Sequence, residues 1–202
     1  MGTVRNIFRH EASPVAALAA RGWVYDLSEA TLAGTVTGPI TYATTSPTLI
    51  FALSAASGLA AIPLYLSLGQ TGTVAGGAIT VLMEKDNANR YTSGGTAATV
   101  MNSLTMGGAL PTGASAFSRT GSAIVATDAA GMRMWGVTVG QDVSPAEGIP
   151  NELVWTPPAG APDYLITTAS LGASWLINTT AATTGATWLW SAKIAVFPLT
   201  DL

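Results

Sequence analysis

The most constraining feature of this chain is a long interior stretch, residues 30–83, that contains no charged side chain. Two shorter uncharged stretches follow, at residues 91–118 and 164–192. Charged residues make up only 9% of the chain, against about 25% in an ordinary soluble domain. A free monomer normally keeps its surface hydrated with charged side chains. The sequence therefore predicts a chain that lies in a membrane or is covered by other protein subunits.

A membrane span is the less favoured of these two predictions. Residues 49–68 have the length of a transmembrane helix, about 20 residues. However, Gly58 and Pro63 interrupt the stretch, and neither Lys nor Arg flanks it. We predict two strands and a connecting turn instead, at residues 48–53, 62–68 and 54–61. No membrane partner is expected.

From about residue 31 the pattern favours β-structure. Short runs rich in Val, Ile, Thr and aromatic residues alternate with clusters of Gly and Pro. The predicted strands are residues 35–42, 48–53, 62–68, 78–84, 122–126, 132–139, 152–155, 164–170, 174–178 and 187–197. Residues 91–117, rich in Gly, Thr, Ser and Ala, are predicted to form a long loop. Many short strands with almost no helix are typical of a β-sandwich.

Two of these runs predict which residues face the core. In residues 62–68, Leu64, Leu66 and Leu68 alternate with smaller or polar residues and are predicted to share one face. In residues 187–197 one face carries a larger apolar set: Trp188, Trp190, Ala192, Ile194 and Val196. Most of the tryptophans lie in predicted strands, so we expect them in the core.

The N-terminal 30 residues differ from the rest because they hold a large share of the charge. Ser13 followed by Pro14 predicts the start of a short helix that continues to about Arg21, where Gly22 ends it. We therefore divide the chain into an N-terminal arm with a short helix, residues 1–30, and a β-sandwich domain, residues 31–202.

The composition removes several kinds of chemistry. There is no cysteine, which rules out disulfides, zinc–thiolate sites and thiol catalysis. The single histidine, His10, lies between Arg9 and Glu11, where a solvated or contact role is expected. No phosphate-binding loop follows the glycine clusters. The net charge of −3 gives no basic footprint for nucleic acid. We predict no cofactor, no metal site and no nucleic-acid partner.

Carboxylates offer the remaining route to catalysis, because a pair of them can act as acid and base. Glu84 and Asp86 have strand spacing and can share a face, and residues 142–152 carry three more carboxylates. The alternative interpretation is a solvated strand end for the first group and a polar surface loop for the second. That alternative is favoured, so the chain is not predicted to be an enzyme.

Several stretches resemble virion structural proteins of tailed bacteriophages. They are LYLSLGQTGTVAGG at 64–77, ITVLMEKDN at 79–87, VSPAEG at 143–148 and WLWS at 188–191. The resemblance is to jelly-roll capsid decoration (cement) proteins and covers about residues 40–197. It implies a jelly roll, so together with the residue patterns we predict an all-β, jelly-roll-like antiparallel β-sandwich. The N-terminal arm containing a short helix is predicted from the residues and is not part of the resemblance. The resemblance also implies a homotrimer that binds the major capsid protein or another virion protein in a particle assembled in the host cytoplasm.

We expect the arm to contact a neighbouring subunit or the shell. The residues predicted for this interface are Arg5, Phe8, Arg9, Trp23 and Tyr25. The alternative function is a receptor- or carbohydrate-binding β-sandwich module of a phage tail or fibre. That function would use exposed aromatic residues near carboxylates, with Trp23, Tyr25, Tyr91 and the 142–152 loop as its candidates.

Overall fold

The computed structural model describes residues 3–10, 13–31, 34–71, 77–127, 131–141, 152–158, 162–181 and 187–202. Within these residues strands dominate, and two antiparallel sheets pack as a sandwich. The α-helices are short and lie near the N-terminus. The predicted all-β antiparallel sandwich is therefore confirmed.

The helices are α1 (Thr3–His10), α2 (Pro14–Ala19) and a 3-10 helix, Leu199–Asp201. The strands, numbered along the chain, are β1 (Val24–Ser28), β2 (Val36–Thr37), β3 (Leu49–Leu53), β4 (Leu59–Gln70), β5 (Gly77–Asp86), β6 (Tyr91–Gly94), β7 (Thr96–Ala97), β8 (Thr99–Asn102), β9 (Ala114–Ser118), β10 (Ile124–Ala126), β11 (Met132–Gln141), β12 (Glu152–Trp155), β13 (Leu165–Ile166), β14 (Ala173–Ala181) and β15 (Thr187–Pro198).

The strands form two large sheets and one small one. Sheet A has the order β12-β4-β15-β1-β8, with β13 paired to β4 and β2 paired to β15. Sheet B has the order β11-β5-β14-β3-β9-β7. Strands β6 and β10 form a separate antiparallel pair. Ile124 of β10 packs with Ile50 and Leu176 of sheet B, so this pair covers part of its outer face.

The connectivity explains the jelly-roll-like character. In sheet A, β4 pairs with β15. The strands next to them in sequence, β5 and β14, pair with each other in sheet B. An antiparallel ribbon therefore passes from one sheet to the other, which is how a jelly roll wraps around its core.

Strand β15 shows why this sequence forms a buried central strand. The five residues predicted to share its core face are all buried, with Trp188 and Ile194 fully inaccessible. They pack between the sheets with Trp175 and Phe51 of sheet B. Burying a large apolar side chain contributes about 1.5–3 kcal/mol, so this alternating face is a major source of stability.

Strand β4 departs from the predicted alternation. The pairing with β15 shifts register so that Lys193 lies opposite Tyr65 and Ile194 lies opposite Pro63, leaving Leu64 as the extra residue of a β-bulge. Leu66 belongs to the core between the sheets, whereas Leu64 packs on the other side of sheet A. The prediction that Leu64 shares a face with Leu66 was wrong. Pro63 does not end the strand because a bulge tolerates proline.

Residues 91–117, predicted to form a loop, contain strands β6, β7 and β8 and most of β9. The loop prediction was wrong because these strands are short and half-exposed and carry little period. Strand β8 pairs with β1, and β9 pairs with β3. Tertiary pairing, rather than local propensity, forms them.

The N-terminal segment also differs from the prediction. Helix α2 follows Ser13 as expected, but α1 was not predicted, and β1 is an internal strand of sheet A rather than part of an arm. Val4, Ile7 and Leu18 of the helices pack against residues of sheet A, including Ile62, Leu64, Ala195 and Phe197. The helices therefore cover one half of the outer face of their own sheet.

Among the described residues, no helix combines the length and the apolar character needed to cross a bilayer. Most of the uncharged stretch at 49–68 forms strands β3 and β4, joined by a short turn. The predicted strand pair is confirmed, although β4 begins earlier and ends later than expected.

Candidate interaction surface

The residues predicted for the interface of the arm occupy different environments. On α1, Arg5 is exposed and Phe8 is half-buried against the cluster beneath the helices. Arg9 belongs to α1, but its side chain lies outside the described residues. A contact role for Arg5, Phe8 and Arg9 therefore stays a prediction.

The expectation of an exposed aromatic pair near the arm was wrong. Tyr25 is only 9% exposed and packs in the core between the sheets. Alternation along β1, which lies between β15 and β8, turns Tyr25 and Leu27 inward. Trp23 is half-buried, with its ring centroid 5.7 Å from that of Phe197 and 5.7 Å from the guanidinium carbon of Arg21.

The half of sheet A that the helices leave uncovered presents a face whose central row consists mostly of small uncharged side chains. Registered pairing aligns one residue from each of five neighbouring strands in a row: Val154, Ser67, Ser191, Ser28 and Thr99. The rows on either side contain Glu152, Gly69 and Leu189, and Tyr65, Lys193, Asp26 and Met101. We call these three rows the open face of sheet A.

Charge on the open face is limited and partly neutralised. Asp26 forms an ion pair with Lys193 of the adjacent strand and accepts a hydrogen bond from the Ser103 hydroxyl at 2.7 Å. A shallow concavity of about 390 Å³ lies at this point and is lined by Tyr65, Thr99 and their neighbours. The centre of the face is therefore neutral, and its charged residues are this ion pair and Glu152, which is exposed on β12.

Exposed apolar side chains lie on the open face and beside it. Leu189 and Met101, both on the face, are 42% exposed, and Val154 is 51% exposed. The turn after β8 adds Leu104 and Met106, at 55% and 67%. Exposed apolar side chains in such proximity are typical of a surface that binds another protein.

Glu84 and Asp86 share a face of β5, as predicted, but each is buried and already bound. The Tyr42 hydroxyl donates to Glu84 Oε1 at 2.6 Å. Arg90 donates two hydrogen bonds to Asp86, at 3.0 and 3.2 Å. The predicted solvated strand end was wrong, because both carboxylates are less than 9% exposed. Their partners give them a structural role.

Glu29, just after β1, is a buried acid with hydrogen bonds to both of its carboxylate oxygens. Its Oε2 accepts from the Thr120 hydroxyl at 2.7 Å and from Trp190 Nε1 at 3.1 Å, and its Oε1 accepts from the Ala30 N–H at 3.0 Å. Burial raises the pKa of this carboxyl, but the hydrogen bonds outweigh that effect and hold the pKa below its usual 4.5. Glu29 is therefore suited to tie β1, β15 and the segment after β9 together.

The candidates for a carbohydrate site are scattered. Tyr91 stacks on Phe117 with ring centroids 4.0 Å apart, which engages one face of its ring. Residues 142–151 lie outside the described residues, and Glu152 is exposed on β12. An open groove of about 640 Å³ does occur between the edges of the two sheets. It is lined by Met134, Trp135, Val154, Trp155, Thr156, Pro157, Pro158 and Asp163.

Asp163 connects this groove to sheet B through an ion pair with Lys85 of β5. The pair joins the segment after β12 to the opposite sheet at the open edge of the sandwich. Neither this pair nor the rows of the open face was predicted, because cross-strand register is invisible in a single sequence.

Comparisons with known proteins leave the family open. No protein-family model matches the chain, and no curated protein matches it. A solved structure of the infectious bursal disease virus VP2 subviral particle aligns with 89% of this chain at 12% identity and a TM-score of 0.09. The chain spans 41% of the length of that protein. A similarity this weak carries no argument about fold or function.

Proposed function

We propose that this protein is a non-enzymatic structural subunit of a phage particle, a capsid cement protein that acts through contacts with its own copies and with the shell. The observation that carries the proposal is the open face of sheet A. The sequence resemblance to phage decoration proteins points in the same direction.

The free-energy cost of covering this face depends on which side chains the contact buries. A serine or threonine hydroxyl can be buried at modest cost when it finds a hydrogen-bond partner, whereas an unpaired charge costs far more to bury. The one ion pair on the face can enter an interface with its charge already neutralised. A subunit contact centred on Ser191 therefore buries little unpaired charge, because Glu152 on the outermost strand is the one charged residue of the face outside that ion pair.

The open face alone is smaller than a stable subunit interface. Each of its twelve residues occupies about 4.8 Å across the strands and about 7 Å along them, which gives an area of about 400 Å². A stable interface covers about 800 Å² on each partner. The apolar turn at Leu104 and Met106 lies next to the face and extends it.

Most of the carboxylates in the described part of the sandwich act as internal ties. Glu29, Glu84 and Asp163 each bind a side chain from a distant segment of the chain, and Asp86 binds Arg90 four residues further on. These contacts stabilise a rigid building block, which is the property that a shell subunit requires.

Light scattering of the purified protein at several salt concentrations tests the oligomeric part of this proposal. We expect a closed oligomer whose mass does not change with salt, because neutral contacts are not screened. Ser191→Glu, at the centre of the open face, should lower the mass. Ser170→Glu, at an exposed position outside that face, adds the same charge and should leave the mass unchanged. A wild-type monomer, or equal behaviour of the two variants, would refute the role of this face.

The virion part has a separate test. In a density gradient of a lysate from cells that produce the particle, the chain should sediment with the capsids, and Ser191→Glu should shift it to the top fractions. Wild-type protein found only in the top fractions would contradict a cement role.

The groove beside Trp135 and Trp155 supports a second candidate function, carbohydrate binding. Aromatic side chains beside a carboxylate are a suitable surface for a sugar ring. Titration with a panel of methyl glycosides, followed by tryptophan fluorescence, should show saturable quenching that Trp135→Ala reduces. An unchanged signal across the panel would remove this candidate.

A further inference from the structure

The edge strands of this sandwich are very unequal in length. At the ends of the two sheets, β12 and β8 have four residues each and β7 has two. Strand β11 has ten residues and, among the described residues, pairs only with β5. One long edge of sheet B therefore presents backbone groups without a strand partner in the described part of the chain.

The direction of these backbone groups follows from the contact between β11 and β5. A Cβ built on Gly136 would lie 3.5 Å from the carbonyl oxygen of Val81, so that carbonyl points toward β11. Val81 lies opposite Val137. Because hydrogen bonding alternates along an antiparallel strand, Val137 bonds to β5, and Gly136 and Thr138 direct their N–H and C=O groups outward.

Strand β11 lacks most of the devices that normally protect an edge. Natural edge strands are kept apart by short length, lysine, proline or bulges. In β11 a bulge and the one charged residue, Arg133, lie at its beginning. From Met134 to Gln141 the strand has neither a charged residue nor a proline. This segment is suited to pair with another strand.

We propose that β11 pairs antiparallel with β11 of a second copy of this chain about a twofold axis at Val137, joining two copies of sheet B into one continuous sheet. This inference rests on the proposed homo-oligomeric function and names a contact that builds the oligomer. A second copy of the chain fits this position because its own β11 is an edge strand of the same length and, among the described residues, also pairs only with β5.

The register at Val137 is self-complementary. It pairs Gly136 with Thr138 of the partner subunit, so residues that direct their N–H and C=O groups outward face each other. Trp135 lies opposite Val139 of the partner subunit on the core side, an aromatic and β-branched pair that is favourable across strands. Arg133 lies opposite the uncharged Gln141 of the partner subunit, so like charges do not meet.

Hydrogen–deuterium exchange on the intact protein tests the pairing directly. The amides of Gly136 and Thr138 should be protected at high protein concentration and should exchange faster on dilution. Protection that remains at a concentration where light scattering shows a monomer would mean that the chain covers its own edge, which would overturn the proposal.

A matched pair of variants gives an independent readout. Thr138→Pro removes an outward N–H, and Thr138→Ala keeps it. Both lose the contact of the Thr138 hydroxyl with Thr80 Oγ1, 3.1 Å away. Thr138→Pro should weaken association about tenfold or more relative to Thr138→Ala, because two hydrogen bonds per pair are lost. If Thr138→Pro does not fold, the hydrogen–deuterium exchange of Gly136 and Thr138 in the wild-type protein decides whether the edge strands pair.

The outcomes separate this inference from the proposed function. An oligomer in which both amides exchange freely, or a simple trimer without a twofold axis, would overturn the pairing and leave the structural role standing. A monomer at every concentration would overturn both. An even number of copies with protected amides would support both.

Discussion

Trp190 of β15 donates a hydrogen bond from Nε1 to the Oε2 of Glu29 across 3.1 Å. The two residues lie far apart in sequence, and Glu29 follows the end of β1, the neighbour of β15 in sheet A. The Thr120 hydroxyl binds the same oxygen, so one buried carboxylate joins three segments of the sandwich.

This relationship predicts a pH-dependent contribution to stability. The pKa of Glu29 is lower in the folded protein than its usual 4.5, so the contribution is complete above 4.5 and is lost as the pH falls through the lower folded-state pKa. Glu29→Gln should cost about 1–3 kcal/mol at pH 7. Urea unfolding measured from pH 7 to about pH 3 should show a smaller acid-induced loss in the variant. Parallel curves for the two proteins would contradict the role of Glu29.

Arg90 donates two hydrogen bonds to the two carboxylate oxygens of Asp86, a fork that predicts very different stability costs for different substitutions of Arg90. Asp86 is 6% exposed, so Arg90→Ala leaves a buried carboxylate without its cation and should cost about 3–5 kcal/mol. Arg90→Lys should fall between that variant and the wild type because lysine cannot form the fork. Chemical denaturation measures both, and Arg133→Ala, at an exposed arginine, is the control. A cost for Arg90→Ala no greater than that of the control would refute this role.

Gly38 and Gly69 should respond in opposite ways to the same substitution. A Cβ on Gly38 would overlap the backbone carbonyl and the side-chain oxygen of Thr179, whereas a Cβ on Gly69 meets no atom within 4 Å. Gly38→Ala should destabilise the protein by about 1–3 kcal/mol or more. Gly69→Ala should stay within about 0.5 kcal/mol. Thermal unfolding distinguishes them, and equal melting temperatures would show that the chain near Gly38 can move away.

Because the N-terminal helices pack against sheet A, we predict that Leu18 contributes to the free energy of unfolding. Leu18 of α2 is fully buried, whereas Val15 of the same helix is 41% exposed. Leu18→Ala should cost about 2–5 kcal/mol, and Val15→Ala should be close to neutral. The fluorescence of Trp23, which packs in the same cluster, should shift only in the first variant. Equal stability of the two variants would mean that the helices do not pack here.

Strong alternation was sufficient to predict part of the fold. The core face of β15 was predicted from sequence because apolar residues repeat there with period two. The bounds of β12 were predicted from a short apolar run that Pro157 and Pro158 follow. The weakly patterned strands at 91–118 were missed, since Thr, Ser and Gly form strands only where a neighbour supplies the hydrogen bonds.

The interaction surface was less predictable than the core. Low charge indicated that some surface must be covered, but it did not indicate which one. Tyr25 was expected to be exposed because the segment was interpreted as an arm, and its pairing between β15 and β8 made it part of the core instead.

By itself, the sequence determined the class of structure, an all-β chain of low charge with a hydrophobic face on its last strand, because side-chain alternation and charge are local properties. The tertiary structure alone decided that Val154, Ser67, Ser191, Ser28 and Thr99 form one row, and that β11 is the long free edge among the described strands. Both depend on strand order and register, which arise from contacts between residues that are distant along the chain.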